Sequence, residues 1–180
     1  MNLKSKLKKI SYKIKYGDKL ELKSLDLEKN TLLKIVGNGK IKAGENLRLR
    51  SNTSIVSAGG TVEIGNHCFF NRNCNLVSRE SIKIEDEVSF GPNVCIFDHD
   101  HKFDSEKVDA TAYKTGEVVI GKGCWIGAGA IILRNTNIGE GSVIGAGTIV
   151  KGDIPPHSIV TMERTLKITP ITKKDNKTED

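Results

Sequence analysis

Aromatic residues are scarce in this chain of 180 residues: they make up 5% of it, and there is a single tryptophan. No run of apolar residues approaches the ~20 that a helix needs to cross a bilayer. No apolar segment follows the N-terminal lysines, so the start does not resemble a secretory signal. These absences argue against a membrane-spanning or secreted protein. We expect a cytoplasmic protein whose single core is built from aliphatic and small side chains.

Acidic residues are nearly absent from positions 1–19, which hold seven lysines and one acid, Asp18. The rest of the chain carries 21 basic and 21 acidic residues, so its charge is balanced. Proteins that bind nucleic acids normally carry their positive charge on the binding face of the folded domain. We therefore expect no nucleic-acid partner.

Four apolar residues recur at helical spacing among these lysines: Leu3, Leu7, Ile10 and Ile14. The pattern predicts a short amphipathic helix over residues 2–16. Two interpretations stay open. The helix caps the exposed strand edge at the start of the fold, or residues 1–19 make weak peripheral contact with an anionic membrane surface.

A strict period of six organises residues 120–154. An aliphatic residue opens each hexad, glycine follows it in four of the six, and the fifth position is mostly small; the openers are Ile120, Ile126, Ile132, Ile138, Ile144 and Val150. A helix of 3.6 residues per turn does not keep a six-residue period on one face. Short strands separated by turns do, and stacked coils of such strands form a parallel β-helix.

Weaker repeats precede this segment. They begin after Thr31, slip across 48–61 and resume at Ile64 and Ile84, and we expect six to seven coils in all. Three of the four cysteines fall at the small fifth positions of hexads, and no CxxC pair occurs; the three are Cys68, Cys74 and Cys124. We therefore expect buried free thiols with no metal or disulfide role.

Residues 98–117 have no period and are too long for a simple connection, which is typical of a functional or disordered loop. The loop opens with Asp98-His99-Asp100-His101, which holds two of the four histidines. An imidazole can take the proton of a hydroxyl, and a neighbouring carboxylate can hold its tautomer. A solvated loop or a stray metal site is the alternative. His67 and His157 lie in turns and are expected at the surface.

Four segments together resemble the hexapeptide-repeat acyltransferases, in particular the branch of maltose, galactoside, capsule and lipopolysaccharide O-acetyltransferases. They are IGNHCFFNRNCNL (64–76), IEDEVSFGPNVCIFDHDH (84–101), IGKGCWIGAGAIIL (120–133) and IGAGTIVKGDIPP (144–156). The resemblance implies an all-β fold, a left-handed parallel β-helix with a short N-terminal helix and one long protruding loop. It also implies a homotrimer with active sites between subunits.

The resemblance further implies acetyl-CoA as co-substrate, a sugar or polysaccharide acceptor and no metal. The catalytic base falls on His101, with Asp98 nearby and His99 as the second candidate. Asn71 falls where the family contacts the acceptor hydroxyl. The coenzyme contacts fall on Trp125, Gly127, Ala128, Ala146 and Lys151. The segment 161–167 departs from the family pattern after the proline pair, and there Arg164 or Lys167 is expected to meet a phosphate.

The predicted organisation is a cap over 1–22, a catalytic β-helix over 23–160 with its loop at 98–117, and a tail over 161–180. The predicted function is O-acetylation of a sugar hydroxyl on a cell-surface glycan or its precursor. N-acetylation of an amino sugar is the first alternative. A zinc hydratase similar to the γ-carbonic anhydrases, using His67, His99 and His101, and a non-catalytic scaffold are the others.

Overall fold

A parallel β-helix with six complete coils and a partial seventh makes up most of the chain, which the computed structural model describes over residues 3–163. It follows helix α1 (Leu3–Tyr16) and a 3-10 turn (Gly17–Lys19). The strands are β1 (Leu20–Leu22), β2 (Leu25–Leu27), β3 (Leu32–Val36), β4 (Lys40–Ala43), β5 (Leu47–Leu49), β6 (Ser54–Ala58), β7 (Thr61–Ile64), β8 (Phe69–Phe70), β9 (Asn75–Ser78), β10 (Ser81–Ile84), β11 (Ser89–Phe90), β12 (Cys95–Phe97), β13 (His99–Phe103), β14 (Val108–Thr115), β15 (Val118–Ile120), β16 (Trp125–Ile126), β17 (Ile131–Ile138), β18 (Val143–Ile144), β19 (Ile149–Ile154) and β20 (Ile159–Val160).

The coils stack into a prism with three faces. Face 1 consists of β1, β4, β7, β10, β15 and the second halves of β17 and β19. Face 2 consists of β2, β5, β8, β11, β16, β18 and β20. Face 3 consists of β3, β6, β9, β12 and the first halves of β17 and β19. We call the edges between them edge 1–2, edge 2–3 and edge 3–1. The parallel β-helix predicted from the hexads, and its left hand, which the family resemblance implies, are confirmed.

The aliphatic openers of the hexads fill the core, as the period predicts. Ile120, Ile126, Ile132, Ile138 and Ile144 have no exposed surface, and Val150 has 3%. In-register pairing places a buried apolar side chain at the same position of each coil; for example, Ile126 pairs with Phe90 and with Ile144. Each coil therefore covers the aliphatic row of the next, which is the main source of stability in a solenoid.

Coil length explains why the period is clean only after the loop. Lys40 pairs with Thr61 and Thr61 with Ser81, so the early coils have 21 and 20 residues. Ile126 pairs with Ile144, which gives a coil of 18. The additional residues of the early coils lie at edge 3–1, where a longer turn leaves the strands in register. The first coil also starts earlier than expected, because β1 begins at Leu20, ahead of the predicted boundary at residue 23.

Helix α1 is present, but the side that packs on the β-helix is not the apolar side. Tyr12 donates to and accepts from the backbone of the first coil, and its hydroxyl oxygen lies 3.1 Å from the Leu33 nitrogen. Ser5 Oγ accepts from the Leu27 nitrogen at 3.0 Å. Lys8 Nζ donates to the Thr31 carbonyl at 2.6 Å. The open edge of a first coil presents unpaired N–H and C=O groups, and polar side chains satisfy them where leucine or isoleucine would not.

Candidate functional site

The segment without a period folds as an antiparallel hairpin that leaves the prism at edge 3–1. It consists of β13 and β14, with His101 opposite Tyr113 and an irregularity between His101 and Lys102. The hairpin begins directly after β12 and returns to β15. The protruding loop predicted over 98–117 is therefore this hairpin, which has regular structure of its own. The sequence of β13 shows no alternation of apolar and polar residues, because both faces of the hairpin are largely exposed.

Asp98 is fully buried at the base of the hairpin. Its carboxylate accepts hydrogen bonds from Ser78 Oγ at 2.7 Å and from the backbone nitrogens of Arg79 and Glu80, each at 2.8 Å. These donors belong to the turn of the preceding coil. Several donors on both oxygens fit an ionised carboxylate, which only accepts hydrogen bonds.

His99 is the imidazole that Asp98 holds. Its Nδ1 lies 3.0 Å from Asp98 Oδ1, and 13% of its side chain is exposed. Because the carboxylate accepts, this contact places the proton on Nδ1 and leaves the Nε2 lone pair available. The resemblance places Asp98 near His101 as the base, whereas in the structure the Asp98 carboxylate contacts the ring of His99, the second candidate.

His101 lies further along the same strand and is exposed. Its Nδ1 is 3.2 Å from the carbonyl oxygen of Asp109 on β14. A carbonyl only accepts, so this contact also assigns the proton to Nδ1 and leaves Nε2 free to accept one. Both histidines thus present a basic nitrogen, one from a partly buried ring and one from an exposed ring.

Three residues that the sequence analysis did not single out complete this cluster. The Tyr113 ring lies between the two imidazoles, with centroid distances of 5.5 Å to His99 and 4.7 Å to His101. The Arg79 guanidinium carbon is 3.4 Å from the Tyr113 ring centroid. Arg134 Nε donates to Asp100 Oδ2 at 2.6 Å and ties the hairpin to β17. No period marks these residues, since their roles arise from pairing across the hairpin and between coils.

The residues predicted to bind the acceptor and the coenzyme lie elsewhere in the chain. Asn71, Gly127, Ala128 and Ala146 lie in the turns at edge 2–3, after β8, β16 and β18. Trp125 projects from face 2 beside this edge, with 57% of its surface exposed. Within one chain, the histidine cluster and these residues therefore occupy two different edges of the prism.

Edge 2–3 offers unused hydrogen-bond donors. Ala128 and Ala146 are exposed, and within residues 3–163 their backbone N–H groups donate to no partner, whereas Gly129 and Gly147 one position on are bonded to Pro92 and Ala128. Asn71 Oδ1 accepts from the Arg72 nitrogen at 2.8 Å, which leaves the amide NH₂ of its side chain as a donor.

Lys151 does not lie with this group. It is exposed at the bend of β19, where face 3 turns into face 1, which places it on the edge from which the hairpin leaves. Arg164 and Lys167, expected at the nucleotide end of the coenzyme, lie outside the described residues.

A groove of about 830 Å³ runs along edge 1–2, bordered by lysine and glutamate side chains such as Lys42 and Glu63. It contains none of the predicted site residues. His67 lies in a turn of this same edge, so one chain does not bring it to His99 and His101 as a zinc site would require. Over residues 3–163, no three His, Cys, Asp or Glu side chains are grouped in a way that could hold a metal ion.

Comparison with known proteins agrees with this architecture. Residues 117–152 match the model of the family described as bacterial transferase hexapeptide (six repeats). The galactoside O-acetyltransferase of Lactococcus lactis subsp. lactis (strain IL1403) is 33% identical over 137 residues, which are 76% of this chain and 66% of the relative. This chain belongs to the hexapeptide-repeat transferase family. Nodulation protein L of Rhizobium meliloti (strain 1021) is 42% identical over 98 residues, 54% of each chain.

Among solved structures, a variant of AntD, an N-acyltransferase from Bacillus cereus in complex with dTDP and coenzyme A, has the same fold as this hexapeptide-repeat protein. The TM-score is 0.67 with 24% identity, over 97% of this chain and 91% of that one. The chain spans between half and two thirds of the length of the two curated relatives.

Proposed function

We propose that this hexapeptide-repeat protein is an acetyl-CoA-dependent O-acetyltransferase. Its acceptor is a sugar hydroxyl of a cell-surface glycan, such as a capsule or lipopolysaccharide, or of a precursor. The observation that carries the proposal is the pair of histidines on the hairpin, each with Nδ1 anchored and Nε2 available as a base. The family relationship to a galactoside O-acetyltransferase supports a sugar as acceptor.

In this proposal His101 is the general base, because its ring is the exposed one and its Nδ1 is held by a backbone carbonyl. Nε2 of His101 takes the hydroxyl proton while the sugar oxygen attacks the thioester carbon. The tetrahedral oxyanion collapses, the C–S bond breaks, and the imidazolium returns the proton to the departing thiolate. The products are an acetyl ester and coenzyme A. His99 and Asp98 keep Tyr113 in place, and the His101 ring packs on Tyr113.

Edge 2–3 supplies the other half of the proposed site. The free N–H of Ala128 stabilises the oxyanion, Ala146 offers a second donor along the pantetheine arm, and Trp125 with Gly127 lines the channel. Asn71 donates its side-chain NH₂ to the acceptor oxygen. Lys151, which lies at edge 3–1, is assigned to the far end of the coenzyme bound at edge 2–3 of the neighbouring copy.

The two halves meet when three copies assemble. In a cyclic trimer each contact is heterologous, so one edge of a subunit meets a different edge of its neighbour. Edge 3–1 of one copy then faces edge 2–3 of the next, and the hairpin reaches across the boundary. This accounts for a set of site residues that a single chain keeps apart.

The test is turnover of acetyl-CoA against a panel of sugars, polysaccharide fragments and amino sugars, with thiol release and product mass as readouts. For the acceptor that reacts, we expect His101→Ala to lower kcat about 10²–10⁴-fold, the usual contribution of a general base. His99→Ala should lower kcat less, since it removes a support of the base. An exposed histidine at another edge, in the variant His67→Ala, is the matched control and should leave kcat unchanged.

Each other outcome revises a defined part of the proposal. A larger loss in His99→Ala than in His101→Ala makes His99 the base, with Asp98 as its partner. Full activity in both variants removes the histidine mechanism. Transfer to amino sugars alone, with an amide as product, replaces O-acetylation by N-acetylation.

A further inference from the structure

The outer side of α1 is an apolar stripe with no partner in the described chain. Leu7, Ile10 and Ile14 are 60%, 56% and 81% exposed. Their spacing of three, four and seven residues places them on one side of the helix. The opposite side, with Ser5, packs on the first coil, so the stripe faces away from the β-helix.

Lysines border this stripe on both sides. Lys6 and Lys13, seven residues apart, align along one border, and Lys15 lies beyond the other, as 3.6 residues per turn dictates. No acidic residue occurs in α1, and the carboxylate of Asp18, just after the helix, lies 3.7 Å from Lys13 Nζ. Side chains with aliphatic stems and charged tips beside an apolar stripe are the arrangement that lies in the plane of a lipid surface.

We infer that the outer face of α1 docks this protein on the surface of an anionic lipid bilayer. Negatively charged headgroups complement the lysine borders, and the shallow apolar stripe enters the boundary between headgroups and acyl chains. A second copy of the chain fits less well, because pairing two such faces would bring lysines of like charge together. The described residues contain no helix long and apolar enough to cross a bilayer, so the contact is peripheral.

Docking by α1 leaves the proposed site accessible. The helix covers the first coil, whereas the hairpin leaves the side of the prism after β12 in the fourth coil. The inference does not depend on acetyl transfer, and the experiment below measures binding alone.

The experiment is co-sedimentation of the full chain with vesicles of phosphatidylglycerol and phosphatidylcholine in equal parts, and with phosphatidylcholine vesicles. We expect binding to the anionic vesicles only, and a decrease as salt is raised, because screening weakens the attraction between the lysines and the headgroups. The double variant Leu7→Ser/Ile14→Ser should bind about tenfold more weakly or worse, since it removes most of the apolar area that enters the lipid.

Two variants serve as controls. Ile14→Leu keeps the stripe apolar and should bind as the parent does. Val36→Ser removes an exposed apolar side chain from β3 and should also bind unchanged. Thermal unfolding of the double variant should stay close to that of the parent, because both side chains are mostly exposed. The inference is overturned if the double variant binds anionic vesicles as the parent does, or if the parent binds neutral vesicles equally well. It is also overturned if the double variant loses a reversible self-association of the protein and keeps its binding to vesicles.

Discussion

Buried polar side chains at the corners of the prism form hydrogen bonds with the adjacent coil. The Asp98 carboxylate accepts hydrogen bonds from the turn of the preceding coil, whereas the buried cysteine thiols donate to backbone carbonyls. Cys68 Sγ donates to the Glu85 carbonyl at 3.1 Å, and Cys74 Sγ donates to the Gly91 carbonyl at 3.2 Å. These contacts require the protonated thiol. Burial raises the pKa of both thiols to about 11.

This residue-scale chemistry predicts a loss of stability in alkali. The folded pKa lies above the ordinary value of 9.0, so the unfolded chain forms thiolates first. Stability is therefore fully present below pH 9.0 and is lost as the pH rises toward about 11. Urea unfolding over this range should show the decline, and the variant Cys68→Ala/Cys74→Ala should show a shallower one.

Cys95 provides the matched control, because it is only partly buried. Cys95→Ala should keep most of the parent's alkaline slope. At pH 8, alkylation should label Cys95 first, since the reagent reaches its partly exposed thiol more easily than the buried thiols of Cys68 and Cys74. Equal labelling of Cys68 and Cys95 would contradict the burial of Cys68.

At the scale of the element, close contact between coils fixes the turns at edge 2–3. A Cβ placed on Gly127 would lie 2.6 Å from the Ala146 nitrogen and 2.7 Å from the Ile144 oxygen. Both neighbours are backbone atoms of the next coil, which move only if the coils separate. Glycine after the aliphatic opener is thus a requirement of stacking at this height.

We expect Gly127→Ala to destabilise the fold by about 1–3 kcal/mol, the usual cost of forcing extra volume into a packed position. Chemical denaturation of the purified variant measures it. Gly37→Asn is the control: Gly37 has a φ of 60° and nothing within 4 Å of its Cβ position, and asparagine tolerates that conformation at Asn46 and Asn73. If Gly127→Ala left the free energy of unfolding unchanged, the coils would be less tightly packed at edge 2–3 than the structure indicates.

At the scale of the whole molecule, the proposed site is divided between two edges of the prism. His101 belongs to edge 3–1, and Trp125 lies beside edge 2–3. An assembly of copies is the simplest way to join them, and the open groove at edge 1–2 holds none of these residues. The oligomer is therefore part of the proposed mechanism.

Two measurements test this division. Light scattering should give three times the chain mass of 19.7 kDa. Neither His101→Ala nor Trp125→Ala should be active alone, but equal mixtures refolded together should regain about a quarter of the wild-type sites, because each heterologous interface draws at random from two subunits. If trimers shown to contain both variants regain no activity, His101 and Trp125 belong to a site within one subunit. If light scattering gives the mass of a monomer, a site shared between subunits is excluded.

The sequence on its own determined the coiled β-helix architecture, because the six-residue period repeats the same buried positions at every turn. This period can be recognised without knowing which distant residues are in contact. The sequence also located the histidine-bearing segment, since a break in the period is itself a local signal. The coil number and the burial of Cys68, Cys74 and Cys124 followed from the same period, whereas helix α1 followed from apolar residues at helical spacing.

Only the tertiary structure decided which partners these residues take. The Asp98 carboxylate holds His99 because Ser78 and the next two residues, about twenty positions earlier, fix its direction. Helix α1 turns its tyrosines inward because the first coil has an open backbone edge, which no pattern within the helix records. Contacts of this kind join residues of adjacent coils, and their geometry exists only after the coils have stacked.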